Sequence, residues 1–302
     1  MGRILLLFTI FLYSAALPAA DFRVVDLHYK ERHFKNYGQI KDLRGEYEKM
    51  IATSTLTKQE LLYAVSQVAK LDLILADYLP DLIPVSKEDR KEASEHCLSA
   101  VKKIEEISQE HYVMFSMRCL FTRYRRSPML EIIDLNGRIL EILVKHNGFA
   151  VSGVDGGDYY RALGQLRMYR RFIGHGSFFD IREAEVNIYK PRQIQAAPLV
   201  PLSQKYSGND YYETHFLVGK YLVNKGILDN RKDLIQNALS LWRQNIDEME
   251  FLEEVGEEKF LERQLENRAM KARMLRYEKI IAPCIKKSDW YSCIYDSELK
   301  HE

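Results

Sequence analysis

The sequence predicts an all-α fold of stacked helical hairpins, and three observations point there. Gly and Pro are scarce, 15 and 8 among 302 residues, below the usual combined share of roughly 12%. Sheet-rich architectures need turn residues every 8–12 positions or so, and that supply is missing. Apolar residues recur at steps of three and four along most of the chain, which marks helix faces and not strands. The segments so marked are joined by short stretches carrying the Ser, Thr, Pro, Asn and Gly that start and stop helices.

Taken in order, residues 41–52 read as a short helix. Thr57 caps the next, with Glu60 completing a capping box. Its apolar face is Leu61, Ala64, Val65, Val68, Leu71 and Leu75, and Pro80 and Pro84 end it. Ser86 caps a third helix that buries Ala93, Cys97, Ala100, Val101, Ile104 and Ile107 and turns Lys91, Glu95, Lys102, Lys103 and Glu106 to water. Residues 111–124 are apolar on most sides, so this helix belongs in the centre. Ser127-Pro128 starts another, closed by Asn147-Gly148. Gly153, Gly156 and Gly157 form a turn before a helix from about Asp158 to Arg170, and residues 172–208 are the least regular stretch. Helices resume at Asp210–Lys225 with Gly226 as a stop. Asp229 or Asn230 caps the next, which buries Leu234, Ala238, Leu241 and Trp242. The last long helix spans 257–281, with Leu261, Leu265, Ala269, Ala272 and Leu275 inward. Helix pairs of this length are the unit of tetratricopeptide-type arrays, so the architecture reads as a tetratricopeptide-like irregular α-solenoid. No linker separates domains: residues 21–283 form one unit and 284–302 a tail.

Residues 1–20 read as a secretory signal peptide. Arg3 supplies the positive start, Ile4 to Leu12 is almost unbroken in apolar character, and small residues lead to Asp21. Cleavage after Ala16, Ala19 or Ala20 fits equally. The apolar run is shorter than the roughly 20 residues of a spanning helix. The periplasm, or secretion beyond it, is the expected location. Cys97, Cys119, Cys284 and Cys293 all lie in the exported part, where an even number of Cys suggests bridges. Cys97–Cys119 and Cys284–Cys293 is the favoured pairing.

The formal charge is +1, from 44 Lys and Arg against 43 Asp and Glu. That removes the electrostatic basis for a dedicated nucleic-acid binder. His28 and His33 are five apart, not the four that puts two ligands on one helix face, so 28–33 reads as a solvated polar segment. Gly153-x-x-Gly156-Gly157 runs into Asp158, whose carboxylate caps a helix where a phosphate loop needs Lys and Ser or Thr. The Arg clusters (Arg118, Arg123, Arg125, Arg126 and Arg161, Arg167, Arg170, Arg171) read as helix-end charges facing the dipole and solvent, with an acidic partner or organic anion as the alternative. No catalytic motif is present, and neither a cofactor nor a metal site is expected. The paired tyrosines Tyr159-Tyr160 and Tyr211-Tyr212 at helix starts are the candidate pocket or interface residues.

Five segments carry a family resemblance: 60–81, 86–107, 153–168, 208–226 and 261–275. The most specific are Gly156-Gly157-Asp158-Tyr159-Tyr160-Arg161-Ala162-Leu163-Gly164 and Leu265-Glu266-Asn267-Arg268-Ala269-Met270-Lys271-Ala272. In order and spacing the chain resembles the periplasmic T component of TRAP transporters associated with tetratricopeptide-repeat proteins. It departs in lacking a lipid-anchoring Cys and in the irregular sequence over 172–205. The resemblance implies a non-catalytic helical protein that oligomerises, docks a periplasmic substrate-binding protein and passes a small hydrophobic carboxylate through a groove. Local chemistry makes Tyr159, Tyr160, Arg161, Tyr211 and Tyr212 the candidate lining, with Arg161 pairing the carboxylate. A generic envelope scaffold and an exported all-α enzyme are the competing readings.

Overall fold

Helix starts follow the side chains that can satisfy free backbone N–H groups. In the computed structural model, which describes residues 21–124, 137–138, 141–142 and 211–294, Asn36 and Gln39 form a capping box, as do Thr57 and Glu60. Ser86 accepts from the Asp89 N–H. These caps open α2 (Tyr37–Thr53), α3 (Lys58–Leu73) and α4 (Lys87–Ile107), preceded by α1 (Arg23–Lys30) and followed by α5 (Gln109–Tyr124). The second run is α6 (Tyr211–Leu228), α7 (Lys232–Glu254), the single turn α8 (Glu258–Leu261) and α9 (Gln264–Ile285). These nine helices, with no strand among the described residues, make the protein all-α. The signal-peptide segment, most of the helix after Ser127-Pro128, the Gly153–Gly157 turn and residues 158–208 lie outside the described residues.

Consecutive helices pack on one another: α3 between α2 and α4, α4 on α5, α6 on α7, and α7 on α9. After Leu73, α3 widens into a π turn (Ile74–Tyr78) and then a 3-10 turn (Leu79–Asp81). Alpha-9 crosses against both turns and so joins the two runs. The core carries Trp242, Tyr47, Tyr212, Tyr221, Phe115 and Phe260 as its largest buried side chains. The expected inward residues Ala64, Val65, Val68 and Leu71 of α3, Leu75 of the π turn, and Ala93, Cys97, Ala100, Val101 and Ile104 of α4 are buried, while Leu61 and Ile107 at the helix ends are half-buried. Alpha-1 is fastened by Asp26, whose Oδ1 accepts from the Tyr47 and Tyr63 hydroxyls, each at 2.7 Å. Both favoured disulfides are formed, Cys97–Cys119 between α4 and α5 and Cys284–Cys293 at the end of α9.

Four local expectations change. Gly226 does not stop α6: the helix runs to Leu228, and a Cβ at Gly226 would stand 2.6 Å from Ile235 Cγ1 and 2.8 Å from the Arg231 carbonyl. Its role is close approach of α7. Neither Asp229 nor Asn230 caps α7; Asn230 takes the left-handed conformation (φ 53°), and Arg231 sits at the N-cap with no side-chain capping bond, its guanidinium donating to Asp233 instead. The helix expected over 257–281 is broken after Leu261, where the Glu262 and Phe260 carbonyls accept hydrogen bonds from the Arg32 guanidinium and the Asn267 amide. Alpha-9 then passes through Pro283 to Ile285. Leu275 is 44% exposed, and Met270, Arg273 and Met274 face inward instead.

Gly219 of α6 meets the Trp242 indole, where a Cβ would lie 2.1 Å from Nε1. Gly45, in the middle of α2, has nothing within 4 Å of a built Cβ. One substitution therefore takes opposite signs at the two sites. Gly219→Ala destabilises by about 1–3 kcal/mol through overpacking, and Gly45→Ala stabilises by about 0.5–1 kcal/mol through lost chain entropy in the unfolded state. Urea unfolding of both variants measures this. Replacing Cys97 and Cys119 by Ser, which opens a 22-residue loop, costs about 3 kcal/mol on loop entropy in the same assay.

Candidate functional site

The described interior holds charged residues on faces that are otherwise apolar, and burying a charge is tolerated only with a partner. Asp72 interrupts the apolar face of α3 and is fully buried. Arg44 of α2 donates to its Oδ1 at 2.8 Å, and His96 Nδ1 of α4 lies 2.7 Å from its Oδ2. His96 Nε2 is 2.8 Å from Glu48 Oε1. With a carboxylate at each ring nitrogen, the doubly protonated ring is favoured. The Asp72 hydrogen bond raises the His96 pKa above its ordinary 6.5 against the opposing pull of burial.

A second group joins the two helical runs. Arg273 of α9, 4% exposed, donates through Nη2 to the Asp77 carbonyl at 2.7 Å and lies 3.0 Å from Asp77 Oδ1. Its Nε donates to the Asp81 carboxylate, which Arg276 also reaches at 3.0 Å. Its guanidinium stands over the Tyr78 ring at 5.6 Å.

A third group lies where the turn before α2 meets the start of α9. Arg32, 4% exposed, donates through Nη2 to the Glu262 carbonyl and to Glu266 Oε1, both at 2.8 Å, and stacks over Tyr29 at 4.4 Å. Burial works to raise the Glu266 pKa, but Arg32 and Arg263 overcome it and hold the carboxylate below its usual range. Burial, and then the charges of Arg32, Arg118 and Arg263, push the Lys70 pKa below its ordinary value. Residues 28–33 are therefore solvated only in part: Lys30 and Glu31 are exposed, but Arg32 is core. His28 pairs with Glu46 at 2.9 Å and His33 packs edge-on to Phe34, so the two histidines serve different contacts. Arg118 is half-buried within α5, not a solvent-facing helix-end charge.

Tyr159, Tyr160 and Arg161 lie outside the described residues. Tyr211 and Tyr212 meet edge-on at 5.0 Å. Tyr212, 2% exposed, packs against Phe260 as core, while Tyr211 is half-buried and packs against His215 at 4.2 Å. Of this pair only Tyr211 keeps access to solvent. The sequence did carry a signal for the missed residues: Asp72 and Asp77 stand inside the apolar run LDLILADYLPD, where a carboxylate needs a buried cation. Among the described residues no three His, Cys, Asp or Glu side chains gather as a metal site, and no helix is long and apolar enough to cross a membrane.

Fold and site define a disulfide-bonded, all-α protein with ionic pairs buried between its helices. No protein-family model, characterised protein or solved structure matches the chain.

Two outcomes are expected. Arg273→Met removes the buried cation that Asp77 and Asp81 share, Asp81 keeping Arg276, and unfolding in urea shows a loss of about 3 kcal/mol. His96 contributes stability that is complete below pH 6.5, its unfolded value, and disappears as pH rises through the raised folded value. The stability difference between wild type and His96→Gln therefore shrinks from pH 6 toward pH 9, measured by urea midpoints; a difference independent of pH contradicts the assignment.

Proposed function

We propose that this chain is an exported, non-catalytic helical protein that binds a partner protein and serves as an accessory of a TRAP-type solute transport system. It self-associates, docks the periplasmic substrate-binding protein and offers a groove to a small hydrophobic carboxylate. The observation that carries the exported part is the two disulfides, which persist in oxidising compartments and are rare in a reducing cytosol. The apolar run ahead of Asp21 agrees with it. The transport part is supported by the resemblance over segments 60–81, 86–107, 153–168, 208–226 and 261–275, and by an all-α fold, whose helix faces suit protein docking.

Mild cross-linking in cells, affinity capture and mass spectrometry test the reading. Recovery of a TRAP-type substrate-binding protein is the expected result. Recovery of envelope proteins unrelated to transport replaces the transport role by a scaffold role. In the same sample, iodoacetamide adds no mass before reduction and four adducts after it, one for each cysteine.

A further inference from the structure

The outer face of α7 carries apolar side chains that the core does not use, among carboxylates that the chain does not neutralise. Trp242, Ile246 and Met249 turn one face of α7 to the core. At about 3.6 residues per turn, Phe251 falls on the opposite face. It is 60% exposed, and Val255, one turn on, is 57% exposed. Asp247 and Glu254, four residues before Phe251 and three after it, neighbour it on this face and are exposed. Glu257 and Glu258 follow just past the helix end. Glu250 and Glu253, toward α9, are paired with Lys271 and Arg268. Asp247, Glu254, Glu257 and Glu258 have no ion pair among the described residues. The helix end does not need them. The left-handed turn at Gly256 (φ 71°) lets the Gly256 and Glu257 N–H groups donate to the Glu253 and Leu252 carbonyls. No basic residue stands in the last turn of α7, so the acids lie unopposed at the negative end of the helix dipole and weaken the fold. Exposed side chains that break a local rule at a cost in stability point to a contact outside the chain.

We propose that the outer face of α7, with Phe251 and Val255 set among Asp247, Glu254, Glu257 and Glu258, docks a basic segment of a partner protein in which an apolar side chain stands among Lys and Arg. The assignment gives the partner-binding reading above its surface and rests on that reading, but it does not need the transport role. A Lys or Arg brought to this end of α7 gains from two sources at once: carboxylates without counter-charges and the negative end of the dipole. Phe251 supplies the apolar contact that is dried on docking, and Val255 widens it. Charge selects the occupant. A second copy meeting this face across a two-fold axis sets carboxylate against carboxylate, and an anionic lipid surface or a nucleic acid is repelled. The Glu250–Lys271 and Glu253–Arg268 bridges tie the inner edge of the face to α9, so the surface is formed before the partner arrives.

Fluorescence anisotropy of the purified, oxidised full chain with a labelled amphipathic helix of Leu and Lys, and with its Leu and Glu counterpart, tests the surface. The Lys peptide is expected to saturate one site, with an affinity that falls severalfold as salt rises from about 50 to about 300 mM. The Glu peptide is expected not to bind. The triple variant Asp247→Asn, Glu254→Gln, Glu258→Gln is expected to weaken the Lys peptide about tenfold or more, and Phe251→Ser does so with every carboxylate in place. Glu88→Gln, Glu95→Gln, Glu106→Gln removes the same charge from the exposed side of α4 and is expected to stay within about threefold. The α7 triple variant unfolds at no lower urea than wild type, because the charges it removes oppose the dipole. Wild type that ignores the Lys peptide, α7 variants that bind it as wild type does, or an α4 variant that loses it equally overturns the proposal. Photo-crosslinking in cells, with Phe251 replaced by benzoylphenylalanine, separates this surface from the transport role. An adduct on a Lys- and Arg-rich segment of another protein is expected; an adduct on an acidic segment or on a second copy of this chain overturns the proposal. If a substrate-binding protein is captured by general cross-linking and position 251 does not reach it, the surface is lost and the transport role stands. If position 251 reaches a basic segment of a protein unrelated to transport, the transport role is lost and the surface stands.

Discussion

Buried arginines must meet their acids, and in this protein that requirement holds the two helical runs together. Arg273 finds Asp77 and Asp81 across 196 and 192 residues, and Arg32 finds Glu266 across 234. Both contacts end on α9. Without it the carboxylates after α3 and the guanidinium before α2 would remain buried and unmatched, a state that costs several kcal/mol per ion. Alpha-9 is thus the element on which the arrangement of the others depends. Its broken start follows from the same contact, since Arg32 takes the carbonyl of Glu262 that a continuous helix would have used. Such pairs add less to net stability than to uniqueness: an apolar slip of α9 along the bundle would cost little, but a slip that unmatches three charges would not.

The two disulfides act at different ranges. Cys97–Cys119 links neighbouring helices that already pack, α4 and α5, and so mainly limits the unfolded chain. Cys284–Cys293 holds the segment after Pro283 onto the core, where Ile294 is fully buried. Together with the buried ion pairs they make a helical body whose interior is unusually charged.

Much of the fold was legible in residue spacing. The Thr57 and Ser86 caps, the inward faces of α3 and α4 and both disulfide pairings agree with the structure. The errors cluster in the second run. Gly226 and Leu275 were misread because a glycine before a turn and a leucine at helical spacing look alike whether a neighbour approaches or not. The polar segment at 28–33 was misread because composition does not distinguish an arginine in water from one that has a glutamate 234 residues away. Of the tyrosines singled out as lining, Tyr212 is core because Phe260 covers it.

By itself the sequence determined the helical class, the starts of α3 and α4 and the inward faces of those two helices, because capping and apolar periodicity are local and act within a few residues. It also determined that the cysteines could pair. Only the tertiary structure decided which charges are interior, which cations they meet, and where α9 breaks. Those outcomes depend on groups far apart in the chain, whose energies exist only once the two runs have met.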